Sequence, residues 1–168
     1  MHGLCQLLLY NGSGAVSRWI ERLTSARGDE AFSHAAMLLP DGNTVWESYQ
    51  GVGVRERPLD DPEFDSSDLV CFDIDGPKAK DWAKAIKWSK GEIGCEYDYR
   101  GVFHFLSGEQ GRDPWKWWCS EGAFEFVAHA GLRLLRGEGW QTSPRDLCLS
   151  PFIRESWRRH GVRKKVVK

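Results

Sequence analysis

The chain predicts an α+β domain built on an antiparallel β-sheet, and two observations carry that reading. The elements run in the order β-α-β-β-β-β-α-loop-α, which places four strands in succession. Pro40-Asp41-Gly42-Asn43 separates two apolar runs, and its Asp-Gly step is a strong signal for a tight turn between antiparallel neighbours. At 168 residues, 41% of them hydrophobic, the chain can hold one domain with a substantial core.

Residues 4–10 read as the first strand. Leu7-Leu8-Leu9-Tyr10 has no basic segment before it and no long apolar continuation, so it is a strand rather than a signal peptide. Asn11-Gly-Ser-Gly opens a helix over 15–25, with Val16, Ile20 and Leu23 on one face. Residues 32–39 and 44–49 form the hairpin, 52–57 a further strand, and 69–74 another. Asp60 to Asp68 is an acidic loop between the last two.

Gly76-Pro77 opens a second helix to about Ser89, with Ala79, Trp82, Ala83 and Ile86 inward and its lysines outward. Gly91 to Trp118 is a long loop-rich stretch containing Glu96-Tyr-Asp-Tyr. Loops of that length in one domain are usually functional. A third helix starts at Cys119 and runs to about Arg136, with Ala123, Val127, Ala130 and Leu134 at helical spacing. Residues 142–153 form a closing loop.

Charge divides the chain into a body and a tail. Residues 154–168 hold seven Lys/Arg against Glu155 alone, so the tail carries +6 and residues 1–153 carry −7 of the overall −1. Residues 1–153 are therefore read as the domain and 154–168 as a solvated basic tail, which offers contact to a membrane surface. No nucleic-acid partner is expected. No apolar run approaches the ~20 residues of a membrane span, so the expected setting is cytoplasmic. Cysteines 5, 71, 95, 119 and 148 are scattered and odd in number, with no C-x-x-C pair. Free thiols are expected, most of them small buried residues such as Cys71 within Leu69-Val-Cys-Phe-Asp-Ile.

Cys119 stands apart. It follows the aromatic run Trp115-Lys-Trp-Trp and opens a helix, where unpaired N–H groups and a partial positive charge favour a thiolate. A cysteine nucleophile needs a base and a group that orients the base. His34, in Phe32-Ser-His-Ala-Ala-Met-Leu-Leu, is the best-placed histidine. The hairpin register supplies the orienter. If Leu39 faces Thr44, opposing residue numbers sum to 83, so Glu47 faces Ala36 and His34 faces Tyr49. His34 and Glu47 then share a face as diagonal neighbours, about 5.5–8 Å apart at Cβ. One residue of slip would separate them. His104 is a weaker candidate within an aromatic run, His129 reads as structural, and no ligand spacing supports a metal site.

Ser33-His-Ala before an apolar strand, Trp46-Glu-Ser on the next strand, and Trp118-Cys-Ser-Glu at a helix start, in that order, resemble the permuted NlpC/P60 papain-like cysteine hydrolases, and most closely their YiiX/YebB/YaeF-like branch. The resemblance spans about Leu7 to Phe152. It implies a circularly permuted papain-like fold, a sheet or barrel packed on helices, with Cys119 as nucleophile, His34 as general base and Glu47 as the third residue. It adds the Tyr10-Asn-Gly strand end, the Tyr97-Asp98 loop and the Ser143-Pro-Arg-Asp-Leu segment. One departure is Gly122, where the family helix often carries an apolar residue. Tyr10, Tyr97, Trp118 and Ser120 are the expected substrate-binding residues, Ser120 through a helix-start amide. The implied activity is cleavage of an amide, peptide or ester bond, as on peptidoglycan-type peptides, without a cofactor. Acyl transfer to lipids, phospholipase action, or a binding module that kept the fold are the alternatives.

Overall fold

Asp41 builds the tight turn that organises the sheet. Its carboxylate accepts from the backbone N–H of Asn43 (2.9 Å) and Thr44 (2.8 Å) and from the Thr44 hydroxyl (2.5 Å). Gly42 takes φ +73°, a conformation that favours glycine. The turn joins strands β2 (His34–Leu38) and β3 (Thr44–Tyr49). Their register pairs Met37 with Trp46 and Leu38 with Val45, the alignment expected from the turn.

The computed structural model describes residues 4–11, 32–102, 113 and 115–161. The helix expected over 15–25 lies outside them. Besides the hairpin, the strands are β1 (Gln6–Tyr10), β4 (Gly53–Pro58), β5 (Leu69–Ile74) and a short parallel pair, β6 (Glu96–Tyr97) with β7 (Lys116–Trp117). A last strand, β8, spans Ile153–Arg159. The main sheet is antiparallel with order β4-β3-β2-β1-β5-β8. Helices α1 (Ala79–Glu92) and α2 (Cys119–His129) and the short α3 (Pro144–Leu147) complete the α+β architecture.

Strand alternation sorts the core into two clusters. Leu7, Leu9, Ala35, Met37 and Trp46 pack with Trp82, Phe124, Phe126 and Val127 of α1 and α2. Leu8, Tyr10, Ala36, Leu38 and Val45 point to the other face and are closed off by Phe64. Phe64 belongs to a 3-10 turn, Pro62–Phe64, capped by the Asp61 carboxylate. The acidic loop thus inserts one aromatic anchor beneath the sheet.

Several expectations need correction. The α1 face turned inward is Trp82, Ala85, Ile86 and Ser89, whereas Ala79 and Ala83 are exposed. The Trp46 indole donates to the Ser89 carbonyl at 3.1 Å and sets that phase. Helix α2 ends at His129, short of Arg136. Gly131 at φ +85° donates to Ala128 O (2.8 Å) and Leu132 N–H to Val127 O (3.3 Å), a Schellman stop. Leu134 still reaches the core from the following turn. The stretch 91–118 contains β6, β7 and a helical turn at 99–102, and the closing loop contains α3.

The basic segment is no simple tail. Over Ile153–Arg159 it is an edge strand paired with β5, with a register shift between Cys71 and Phe72. Arg154 lies 3.7 Å from Asp73 and Arg158 2.9 Å from Glu155. Residues 162–168 lie outside the described residues. No helix among the described residues is long and apolar enough to cross a membrane.

Candidate active site

The site forms where three strand ends meet the start of α2. Tyr10 ends β1, His34 begins β2 directly opposite it, and Glu47 lies near the end of β3. By alternation these three stand on the sheet face turned away from the α1 and α2 cluster, with Leu8, Ala36 and Val45. Cys119, the first residue of α2, meets His34 at the edge where β2 starts. Its sulfur lies 3.9 Å from the Ser33 carbonyl oxygen.

His34 is the hub. Its Nε2 lies 3.1 Å from Glu47 Oε2, an ion-pair contact whose N–H direction is off line for an ordinary hydrogen bond. The ring packs against Tyr10 (4.7 Å between centroids) and Tyr49 (5.5 Å). Burial alone would lower the imidazole's proton affinity. The charge and hydrogen bond of Cys119, followed by those of Glu47, overcome burial and hold His34 at about 9. The imidazole thus answers to a thiol and a carboxylate together.

Glu47 is fully buried and far from bare. Tyr10 OH donates to Oε2, Arg55 Nε lies 2.9 Å from Oε1, and Arg57 Nε lies 2.8 Å from Oε1. Burial opposes its charge, but His34, Arg57 and Tyr10 together pull its pKa down to about 2. Arg57 is itself buried, donates to Tyr10 OH at 3.0 Å, and lies over the Phe64 ring at 3.7 Å. Glu63 joins both guanidiniums, at 3.0 Å from Arg55 and 2.8 Å from Arg57.

Sequence reasoning missed the two arginines. The signal was there: in β4 they alternate opposite Val45 and Glu47, and Arg55 pairs directly with Glu47 across the β3–β4 ladder.

The expected substrate-binding residues separate into different roles. Tyr97 packs with Cys119. Burial raises its hydroxyl pKa well above normal, and the charge and hydrogen bond of Cys119 add to that. Tyr97 also lines an open depression of about 220 Å³ with Gly51, Val52, Gly53, Glu96, Tyr99 and Lys116. Tyr10, by contrast, is committed to Glu47 and Arg57 and is buried. Trp118 is fully buried in a cluster with Tyr97, Val102 and Cys119. The Ser120 hydroxyl donates to the Thr142 carbonyl at 2.5 Å and ties α2 to the segment before α3. Its side chain is therefore structural, while the amide remains at the helix start.

Of the residues expected to act together, His34 lies against Glu47 and Cys119 lies beside Ser33 at the start of the same strand, and each of the three is at most 3% exposed. The other cysteines behave as packing residues. Burial pushes Cys5 and Cys71 up to about 12, and the described cysteines are all free thiols. Gly122 has a packing reason. A Cβ there would lie 3.3 Å from the Trp46 indole, so that ring fills the volume an apolar side chain would take.

No protein-family model matches the chain, and no curated protein matches it by sequence. Among solved structures, the metalloprotein YiiX of Escherichia coli O157:H7 superposes with a TM-score of 0.64 over 92% of this chain and 96% of its own, at 16% identity. The fold is YiiX-like. That bears out the YiiX-like resemblance at the level of the fold, across nearly the whole of both chains.

The YiiX neighbour is a metalloprotein, which makes the metal-ligating side chains of this chain relevant. Among the described residues no three His, Cys, Asp or Glu side chains are grouped to hold one. A cation beside His34 and Glu47 would also face the Arg55 and Arg57 guanidiniums that already occupy the carboxylate. The described residues of this YiiX-like chain do not fit a metal centre.

Proposed function

We propose that the chain is a thiol hydrolase of amide, peptide or ester bonds, built on a permuted papain-like frame. A single observation carries this reading: the imidazole of His34 lies 3.1 Å from a buried carboxylate, and the sulfur of Cys119, at a helix start, lies 3.9 Å from the carbonyl oxygen of the adjoining Ser33. That arrangement favours catalysis over a binding module, because a binding module has no need for a thiol, a base and an orienter in contact.

In the proposed reaction His34 takes the Cys119 proton and the thiolate attacks the acyl carbon. The carbonyl electrons move onto oxygen. The amides that open α2 have no helical acceptor and supply donors for that oxyanion. Tyr97, packed in one cluster with Cys119, is placed to supply another. Collapse expels the leaving group, which takes the proton from His34, and a thioester remains on Cys119. Water, deprotonated by His34, opens the thioester and restores the thiol. Throughout, Glu47 orients the imidazole and stabilises the imidazolium. Peptidoglycan-type peptides are the substrates that the family resemblance offers.

Intact-mass labelling with iodoacetamide near pH 6 tests the reading. Cys119 should react ahead of the other cysteines, and His34→Ala should abolish that lead. Equal labelling of all five cysteines, unchanged by His34→Ala, would overturn it.

A further inference from the structure

Glu47 carries more positive charge around it than orientation of an imidazole requires. Tyr10 OH and His34 Nε2 already define the position of Oε2. Yet two guanidiniums also approach Oε1, at 2.9 Å from Arg55 and 2.8 Å from Arg57, and a second contact reaches Oε2 from Arg57 Nη2 at 3.5 Å. Arg57 is nine-tenths buried or more, which is costly for a cation unless its partners repay desolvation. It is held on every side: Glu47, Tyr10 OH at 3.0 Å, Glu63 at 2.8 Å and the Phe64 ring at 3.7 Å.

A general base has to release the proton it accepts. A lone buried carboxylate in contact with an imidazole would hold the ring as imidazolium, because opposite charges attract strongly where water is excluded. Given the proposed reaction, on which this inference rests, such a lock would stall deprotonation of the water that opens the thioester. Counter-charge on the far side of the carboxylate weakens its hold on the imidazole proton and leaves its orienting contact intact.

We propose that Arg57, with Arg55, is a positioning residue pair that offsets the Glu47 charge, so that Glu47 orients His34 while its own hold on the imidazole proton is weakened. The groups facing His34 set the balance. Cys119 comes from α2, with Tyr97 of β6 packed in the same cluster. Glu47 and the Tyr49 ring come from β3, and Tyr10 from β1. Behind Glu47 stand Arg55 and Arg57 of β4, and behind them Glu63. Each arginine contributes to the same carboxylate, so removing either one should strengthen its pull on His34.

The test is a titration of His34 by NMR in the full chain carrying isotope-labelled histidine, with the His34 resonance assigned from its loss in His34→Ala. Arg57→Gln should raise the His34 midpoint by about one pH unit above that of the unmodified chain. Arg57→Lys, which keeps the charge, should bring it back to within a few tenths. Arg55 is partly exposed, so Arg55→Gln provides a second variant if Arg57→Gln does not fold, as judged by circular dichroism. A His34 midpoint that is unchanged or lower in the folded glutamine variants overturns the proposal. This readout needs no substrate. If His34→Ala leaves Cys119 alkylation unaltered, the hydrolase reading fails, while the arginine effect is still decided by the His34 spectrum.

Discussion

His34 and Glu47 are diagonal neighbours across the β2–β3 hairpin, with Nε2 and Oε2 3.1 Å apart, and Tyr10 opposite His34 donates to the same oxygen. The carboxylate is therefore fixed from the β1 side and the imidazole is fixed by the carboxylate. Replacing Glu47 by Gln keeps the shape but removes the charge. It should slow Cys119 acylation by an ester substrate such as p-nitrophenyl acetate about a hundredfold or more, as loss of a triad's third residue does elsewhere. Stopped-flow release of p-nitrophenol checks this, with circular dichroism to confirm the fold.

The same pair makes stability depend on pH at both ends. Glu47 is held at about 2, below its ordinary 4.5, so its stabilisation is present above about pH 4.5 and is lost as pH falls toward 2. His34 is held at about 9, above its ordinary 6.5, so its contribution is full below pH 6.5 and is lost as pH rises through 9. Urea unfolding from pH 2 to 10 should show both losses. The acid loss should be on the order of 3 kcal/mol, and Glu47→Gln should flatten that limb.

Tyr97 packs in one cluster with Cys119 and also lines the adjoining depression. Removing only its hydroxyl, by Tyr97→Phe, preserves the packing with Trp118 and Val102. If the hydroxyl meets the oxyanion, acylation of Cys119 should slow by roughly tenfold to a hundredfold, whereas thermal stability should barely change. An acylation rate equal to that of the unmodified chain would remove Tyr97 from the mechanism.

Gly122 is constrained by the Trp46 indole, which a Cβ would meet at 3.3 Å. Gly122→Leu should cost about 1–3 kcal/mol through overpacking. Gly122→Ala asks the indole to give by only a few tenths of an ångström and gains up to about 1 kcal/mol of helix propensity, so it should come out close to neutral. Thermal melts of the two variants separate this packing account from a role in catalysis.

Much of this site was legible in the sequence where contacts are local. The Asp41-Gly42 turn sets the register of β2 on β3 within a few residues, and register with period two dictates that His34 and Glu47 share a face. The strand at 69–74 and the start of the Cys119 helix follow equally from short-range pattern. Roles that depend on a third element were not legible. Tyr10 has the look of a pocket residue until β1 is placed beside β2, where its hydroxyl is consumed by Glu47. Arg55 and Arg57 read as surface charges of a polar strand until the β3–β4 ladder turns them onto a buried carboxylate.

The sequence by itself determined the α+β class, the hairpin geometry and the place of Cys119 at a helix start, because turns, caps and periodicity act over a few residues. Only the tertiary structure decided that Cys119 lies beside the start of β2, that α1 presents Trp82, Ala85 and Ser89 inward, and that Ile153–Arg159 pairs with β5 rather than trailing away. Those contacts join segments some 40 to 90 residues apart, and the free energy that selects them comes from burial and charge compensation across the assembled sheet.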